Sequence, residues 1–257
     1  MKAQSPNHKQ AGFSLLEILI VMAIVALIMG FLVPALMRKS SNFTASVYKI
    51  EALLETARTY AVANNTFVWV GFTELNDTTD YSPGALISGT GTGRIVVTII
   101  ASRNGTRGYD VTTSPLNSPA CWASYSGTNF IAVGKLQYFS NLHLASLGVP
   151  PTSGNMARYD TTVAVGSHKY NLGDSTCVSV TPFAWPLGTT SYNFYKVINF
   201  DPQGVARIQY NDNKDTIVPY IEIGLTPIVG NHAQTTGSNQ AAIQIDCMTG
   251  ATRIYRP

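Results

Sequence analysis

The hydrophobic and polar positions divide the chain into three parts. Residues 18–37 form an uncharged apolar run. Across residues 43–61, apolar side chains recur every three or four positions, which predicts an amphipathic helix with one face for a core. Beyond residue 65, short β-branched and aromatic runs alternate with turn residues, which predicts strands. One long helix followed by many strands predicts an α+β fold with the helix packed on an antiparallel sheet.

The uncharged run has the length of a membrane span. At a rise of about 1.5 Å per residue, residues 18–37 would reach about 30 Å, roughly one hydrocarbon core. Lys2 and Lys9 precede the run and a long polar portion follows it, so the positive-inside rule predicts a cytoplasmic N-terminus and an exported bulk. Arg38 and Lys39 follow the run and conflict mildly with that orientation.

Two features are expected to shape the helix itself. Asn64 and Asn65 come after the last periodic position and predict its end, because asparagine tolerates the left-handed conformation. Pro34 removes a backbone hydrogen bond inside the helix, and Gly30 weakens the same turn. We therefore expect a kink or a locally melted segment between Gly30 and Pro34 once the protein is assembled.

The remainder of the chain is predicted to be rich in strands. Strands are predicted at residues 67–72, 94–101, 161–165, 176–182, 195–200, 205–210, 219–225, 241–247 and 252–255. Residues 130–147 are ambiguous between a strand and a short helix. Residues 201–204, with proline and glycine at turn-favoured positions, predict a turn.

The amino-acid composition gives little indication of a ligand or substrate. The chain has 257 residues, of which 45% are hydrophobic and 12% charged, enough for one sizeable core plus an anchor. The net charge is +3, and without Lys2 and Lys9 it is +1, with 15 basic against 14 acidic residues. Such a balance does not by itself indicate nucleic acid or an acidic substrate.

The segment ahead of the apolar run carries the strongest motif. Residues 12–17 read G-F-S-L-L-E, which closely resembles the class III signal of type IV pilins and pseudopilins. The resemblance implies cleavage between Gly12 and Phe13 by a prepilin peptidase and N-methylation of Phe13. It also implies that Glu17 neutralises the amino terminus of Phe13 on a neighbouring subunit. A carboxylate inside a membrane costs about 2.5–3.5 kcal/mol, so it needs such a partner.

This resemblance implies a division of the chain into four segments. Residues 1–12 would be a leader peptide and residues 13–37 a transmembrane or filament-core helix. Residues 38–65 would continue that helix in amphipathic form, and residues 66–257 would be a β-rich extracytoplasmic domain. The whole is expected to have the type IV pilin fold.

A second resemblance concerns the subgroup. Three short signals resemble GspH/FimT-type minor pilins and pseudopilins: Ala57-Arg58 with Ala61, residues 200–204 (F-D-P-Q-G), and residues 243–245 with Thr249, Gly250 and Arg253. A long insertion at residues 76–192 has no recognisable motif.

Together the resemblances imply a structural subunit of a type IV pilus or a type II secretion pseudopilus. Its partners would be other pilin subunits, the prepilin peptidase, an inner-membrane assembly platform and, before assembly, membrane lipid. The alternative is a tip-located minor pilin that binds DNA or another ligand in transformation or adhesion. Arg253, Tyr255 and Arg256 form the basic and aromatic tail that could hold a phosphate backbone and stack a base.

No pattern in the sequence favours an enzyme, a cofactor or a metal. The four histidines are scattered and lack metal-ligand spacing, and the oxygen-rich residues 211–215 read as an ordinary turn between strands. Cys121, Cys177 and Cys247 would meet an oxidising compartment, where one disulfide and one free thiol are expected, with three pairings open.

Overall fold

The structure is a computed structural model of the chain. It describes residues 15–76, 86–87, 92–105, 130–162, 170–175, 177, 183–185, 191–209, 215–216, 218–229, 232–233 and 239–257. The side chains of residues 29–41, 76, 86–87, 183–184, 191, 209, 215–216, 229 and 232–233 lie outside that description.

The described residues form one long helix followed by strands, which confirms the α+β prediction. The elements are α1 (Leu15–Ala63), β1 (Val68–Asn76), β2 (Leu86–Ile87), β3 (Gly93–Ser102), β4 (Phe130–Ala132), β5 (Gln137–Leu144), β6 (Phe183–Trp185), β7 (Ser191–Phe194), β8 (Lys196–Phe200), β9 (Ala206–Gln209), β10 (Asp215–Thr216), β11 (Tyr220–Val229), β12 (His232–Ala233), β13 (Ala241–Asp246) and β14 (Thr252–Tyr255).

The chain separates into two compact units, residues 1–44 and residues 45–257, and the boundary falls inside α1. In the second unit, α1 buries one apolar stripe completely, as its periodicity predicts. The stripe consists of Val47, Ile50, Leu54, Ala57 and Ala61, each 0% exposed.

The end of α1 is fixed by a Schellman motif, a pair of main-chain hydrogen bonds that closes the last turn. The N–H of Thr66 donates to the carbonyl of Ala61 at 3.0 Å, and that of Asn65 donates to Val62 at 3.4 Å. Asn65 has φ +48°, the left-handed conformation this motif requires. The predicted helix end is therefore confirmed at its residues.

The second unit is built on one antiparallel sheet, the main sheet. Its strand order is β10-β9-β8-β1-β3-β5-β11-β13-β14, with β4 beside β3 and β12 beside β11. The register pairs Trp69 with Ile100 on one side and with Asn199 on the other. The predicted strands at residues 67–72, 94–101, 195–200, 205–210, 219–225, 241–247 and 252–255 are confirmed, with ends shifted by a few residues.

Two other strand predictions fare differently. The ambiguous residues 130–147 contain β4 and β5 and no helix. The strand expected at residues 161–165 is wrong at residues 161–162, where Asp160 accepts hydrogen bonds from the backbone N–H and the hydroxyl of Thr162 at 2.9 and 2.6 Å. That local turn competes with an extended strand. Residues 163–165, and residues 176–182 apart from the non-strand Cys177, lie outside the described part.

The two faces of the main sheet are covered by different parts of the chain. Phe139 faces α1, because the ammonium of Lys49 lies 5.6 Å from its ring centroid. Trp69 points to the opposite face and meets Phe130 edge-on at 5.4 Å. There it joins a buried cluster with Tyr192 and Phe194 of β7. This outer face is therefore covered by a second layer.

The second layer comes from the long insertion. A small sheet with the order β2-β7-β6 supplies it, and β2 pairs with β7 in parallel. Its strands β2 and β6 lie wholly within residues 76–192, and β7 begins at the end of that range. Part of the segment whose role the sequence left open thus closes the core.

The two ends of the main sheet approach each other at the end of α1. The N–H of Ala206 donates to the carbonyl of Cys247 at 2.8 Å, which links the start of β9 to the turn after β13. Gly204 has φ +82° and Gly250 has φ +68°, and a Cβ on Gly250 would overlap the carbonyl oxygen of Gly204 and lie 2.9 Å from Cδ of Arg58. We call this contact of Arg58, Gly204 and Gly250 the glycine junction.

The glycine junction predicts an unequal response to alanine substitution. Gly250→Ala should lower the free energy of unfolding by about 2–5 kcal/mol, because left-handed strain and overpacking add. Gly148 is the matched control, since it has φ +69° and open space around its Cβ position. Gly148→Ala should cost only the strain, about 1–2 kcal/mol. Denaturant unfolding of both variants measures the difference, and equal losses would contradict the packing argument.

Candidate functional site

The first part of α1 is apolar on every side and open to solvent. Five consecutive side chains, residues 18–22, cover the full circle of the helix and are each at least half exposed. Large apolar side chains between 43% and 81% exposed are Leu15, Leu16, Ile18, Leu19, Ile20, Val21, Met22, Ile24, Val25, Leu27 and Ile28. A helix that is apolar all round normally lies inside a protein core or a membrane. This surface therefore needs a cover from outside the described chain.

Glu17 is the one charged side chain among residues 15–28, and it is exposed. It lies in the first turn of α1, where the helix dipole favours a carboxylate. The part of the chain that the structure describes gives Glu17 no hydrogen-bond or ion-pair partner. Gly12 and Phe13 lie outside the described residues, so the predicted cleavage point has no geometry here.

Two other expectations concern the same helix. Gly30 and Pro34 fall within the helical span Leu15–Ala63, their side chains are not described, and the kink of the assembled protein stays a prediction. Among the residues whose placement is described, no helix is both long enough and apolar enough to cross a membrane. The predicted span, residues 18–37, continues past Ile28 into residues whose side chains lie outside the description.

The predicted tail residues come together around one surface cleft. Arg253 places its guanidinium 5.2 Å from the ring centroid of Tyr255. Both residues lie on β14, whose Thr252 donates from its N–H and its hydroxyl to Glu55 of α1 at 3.3 and 3.0 Å. The cleft has a volume of about 490 Å³ and is lined by Tyr48, Gly154, Asn155, Ala157 and residues 253–257. The tail therefore shares its cleft with a loop of the insertion.

The two cysteines that the structure describes are buried. Cys177 and Cys247 are both buried free thiols, and Cys121 lies outside the described residues. Burial raises the pKa of each of the two thiols to about 12. Because the thiolate is the reactive form, both thiols have low reactivity while the unit is folded. The disulfide expected from the sequence stays a prediction.

The most buried charge in the second unit is one that the sequence did not single out. Glu222 on β11 is 0% exposed, and the side chain of Arg158 is 2% exposed. Arg158 donates to both carboxylate oxygens, from Nε at 2.6 Å and from Nη2 at 3.2 Å. Asn171 donates to Oε1 and Gln244 to Oε2, each at 2.9 Å. Each oxygen thus accepts two hydrogen bonds.

This network, the Glu222 latch, fastens the insertion to the main sheet. Gln244 Nε2 also donates to the carbonyl of Tyr159 at 2.7 Å, and the N–H of Tyr159 donates back to Gln244 Oε1 at 3.2 Å. Arg158 reaches the carbonyl of Gly148 at 3.3 Å. The segment of residues 145–162, which we call the strap, is therefore held over β11 and β13 by hydrogen bonds to a buried carboxylate.

Two groups of residues bear on catalysis or metal binding. His143 Nδ1 lies 2.7 Å from Glu74 Oε1, whose carboxylate also accepts from the N–H of Leu144 at 3.3 Å. Within the described residues, no three His, Cys, Asp or Glu side chains come close enough to hold a metal ion. Of the oxygen-rich residues 211–215, only Asp215 is described, in β10.

Comparison with protein families places the N-terminal segment in a known class. The family described as the prokaryotic N-terminal methylation motif matches residues 7–33. The match spans the predicted cleavage point, Glu17 and most of the apolar run. The chain therefore carries a class III prepilin signal and is a type IV pilin-like protein. Such a motif is typical of structural, pilin-type precursors that a prepilin peptidase processes and that assemble with other pilin subunits.

Neither the curated proteins nor the solved structures yielded a match to this chain.

The Glu222 latch predicts that loss of the buried Arg158–Glu222 ion pair costs more stability than loss of an ion pair at the surface. Arg158→Met should lower the free energy of unfolding by about 3–5 kcal/mol, because it strands a buried carboxylate. Adding Glu222→Leu to that variant should recover most of the loss, since the stranded charge is removed. Denaturant unfolding measures both.

Arg207 is the matched control. Its guanidinium lies 3.3 Å from Asp201 and its side chain is 26% exposed. Asp201 keeps hydrogen bonds from the N–H groups of Gln203 and Val205 at 3.0 and 2.9 Å. Arg207→Met should therefore cost about 1 kcal/mol or less. A loss at Arg158 no larger than that at Arg207 would contradict the latch.

Proposed function

We propose that this chain is a minor pilin or pseudopilin, a structural subunit of a type IV pilus or of a type II secretion pseudopilus. The observation that carries the proposal is a prepilin signal joined to an apolar helix surface that no described residue of the chain covers. Full burial of a large aliphatic side chain contributes about 1.5–3 kcal/mol. The exposed side chains of residues 15–28 therefore supply a strong drive to enter lipid or a bundle of like helices.

Glu17 determines how neighbouring helices are aligned along their axes in that association. In the proposed filament its carboxylate pairs with the amino terminus of Phe13 on a neighbouring subunit. Apolar contacts alone are non-directional, whereas a carboxylate in a helix bundle is heavily penalised unless it is paired. The pairing therefore fixes the axial stagger of neighbouring helices.

The proposed division of the chain follows from this role. Residues 1–12 are a leader removed between Gly12 and Phe13, after which Phe13 is N-methylated. Residues 13–37 cross the inner membrane and later form the filament core, and residues 38–65 lead into the folded domain of residues 66–257. That domain lies outside the cytoplasm, first in the periplasm and then in the pilus or pseudopilus. An inner-membrane platform assembles it.

The glycine junction supports the GspH/FimT-type subgroup and the pilin fold. The three signals of the resemblance are distant in sequence, at Arg58, at Gly204 and at Gly250. In the folded unit they meet in one contact, since a Cβ on Gly250 would lie 2.9 Å from Cδ of Arg58 and one on Gly204 would lie 3.5 Å from Nε of Arg58. Because the three motifs pack against one another, this contact explains why they occur together in one sequence. Turn motifs that did not touch would have no such explanation.

The primary test combines the mass of the native protein with filament assembly. Protein purified from its native membrane should have the mass of residues 13–257 plus one methyl group. Glu17→Ala should be cleaved as the parent is but should enter filaments at most one tenth as often, because an unpaired amino terminus stays in the helix bundle. Sheared filament fractions and immunoblotting measure the incorporated fraction.

Glu51→Ala is the control, because Glu51 is an acid of the same helix that lies in the folded unit near Thr252. Its incorporation should equal that of the parent. A leader still attached to the native protein, or equal incorporation of the Glu17 variant, would overturn the proposal.

A tip-located role in binding DNA is a second candidate, and the tail cleft favours it. Arg253, Tyr255 and Arg256 share that cleft with the exposed Tyr48. Guanidinium groups that neutralise phosphates and rings that stack bases are the elements of single-strand binding. The intramolecular contact of Arg253 with Tyr255 already uses one face of that ring, which weakens this candidate.

A mobility-shift assay with the full chain in detergent tests the second candidate. Single-stranded DNA should be retarded at low salt, and the shift should weaken steeply as salt rises, because counterion release drives phosphate binding. Arg253→Ala with Arg256→Ala should remove most of the shift. Arg103→Ala, an exposed arginine outside the cleft, is the control. An unchanged shift in the double variant would exclude the cleft as a DNA site.

A further inference from the structure

Lys196 on β8 lies among backbone carbonyls rather than carboxylates. Its ammonium donates hydrogen bonds to the carbonyl oxygens of Leu172, of Asp174 at 3.0 Å and of Cys177 at 3.4 Å. A lysine ammonium has three donors and no acceptor. Its full donor capacity is therefore matched by three carbonyls that come from one short loop.

The loop that supplies these carbonyls, residues 171–175 together with Cys177, is held by hydrogen bonds within the loop. The side-chain oxygen of Asn171 accepts from the N–H of Gly173 at 2.8 Å. The N–H of Asp174 donates to the carbonyl of Asn171 at 3.0 Å, and that of Cys177 donates to Asp174 at 3.2 Å. With its N–H groups turned back into the loop, the chain directs carbonyls at one point. We call the three carbonyls around Lys196 Nζ the carbonyl cage.

The loop has little room to rearrange. A Cβ on Gly173 would overlap the backbone of Ala145, so the loop packs tightly against the strap. Asn171, Leu172 and Cys177 are each at most 1% exposed. If the ammonium were absent, the carbonyl of Asp174 would keep only the N–H of Cys177 as a donor. The carbonyls of Leu172 and Cys177 would each lose a hydrogen bond that no other described residue replaces, which is costly for a buried acceptor.

Converging carbonyls are the ligands that proteins use for a bare monovalent cation. Backbone carbonyl oxygens replace the hydration shell of K⁺ in selective channels. The ammonium group and K⁺ carry the same charge and are similar in size. Burial lowers the pKa of Lys196, and the nearby carboxylates of Glu74 and Asp174 oppose that shift. Negative charge around the cage thus favours any cation that occupies it.

We propose that the carbonyl cage of Leu172, Asp174 and Cys177 is a monovalent-cation site that this chain fills with the ammonium of its own Lys196. The tethered cation holds the loop, and the loop in turn presents Asn171 to Glu222 at 2.9 Å. Lys196 is therefore a positioning residue for the Glu222 latch, and an emptied cage accepts K⁺ or NH₄⁺ from solution.

The test is chemical rescue of Lys196→Ala in the full chain in detergent. In choline chloride, the Tm of the variant should fall by about 5 °C or more below that of the parent. In KCl or NH₄Cl of equal ionic strength, at least half of that loss should return in a saturable manner. If the variant does not fold in choline chloride, the yield of folded protein on refolding in KCl is the measurement.

The parent and Lys135→Ala are the controls. Lys135 is exposed and its ammonium has no part in the cage. Neither control should distinguish KCl from choline chloride. The proposal is overturned if Lys196→Ala responds equally to K⁺ and choline, or if it is as stable as the parent in choline chloride.

Discussion

The structure depends on how the apolar side chains of one helix are removed from water. In the second unit, Val47 to Ala61 lie against the main sheet and are fully buried along one stripe. From Leu15 to Ile28, the same helix is apolar on all sides, and no described residue covers it. The hydrophobic effect penalises both halves equally when they are exposed. Described residues of the chain cover one half, and in the proposed filament lipid or further subunits cover the other half.

The folded unit meets a related constraint on the outer face of its main sheet. A sheet with both faces apolar needs a layer on each side, and α1 covers only one. The insertion supplies the other through β7 and the strap. Because the strap has few large apolar anchors of its own, it is held instead by buried polar contacts to Glu222 and Gln244. Such contacts hold a segment in one geometry only if every buried group is paired, as all four donors to Glu222 are.

The periodic elements could be predicted from the sequence, because each signal is local. The stripe of α1, the left-handed Asn65 and the strand Thr252–Tyr255 depend on neighbours within a few positions. Glu222 could not be found in the same way. A single acid in an apolar strand has no pattern, and its partner Arg158 is 64 residues away. The short strands β6 and β7 were missed because their burial depends on contact with Trp69, which belongs to another layer. The prepilin signal could be recognised from the sequence, because a motif of this kind is a continuous segment and does not depend on contacts between distant residues.

In the proposed assembly, the apolar side chains and the single charge of residues 15–28 have different roles. A smooth apolar helix buries nearly the same area at many axial offsets, so apolar contact alone would leave neighbouring subunits free to slide. A carboxylate in that environment changes the energy sharply with offset, since it is satisfied only where a cation meets it. The side chains beyond Glu17 supply the drive, and Glu17 selects among the arrangements that this drive permits. The folded unit needs no such selection, because its register is already set by the alternation of its strands and by the glycine junction.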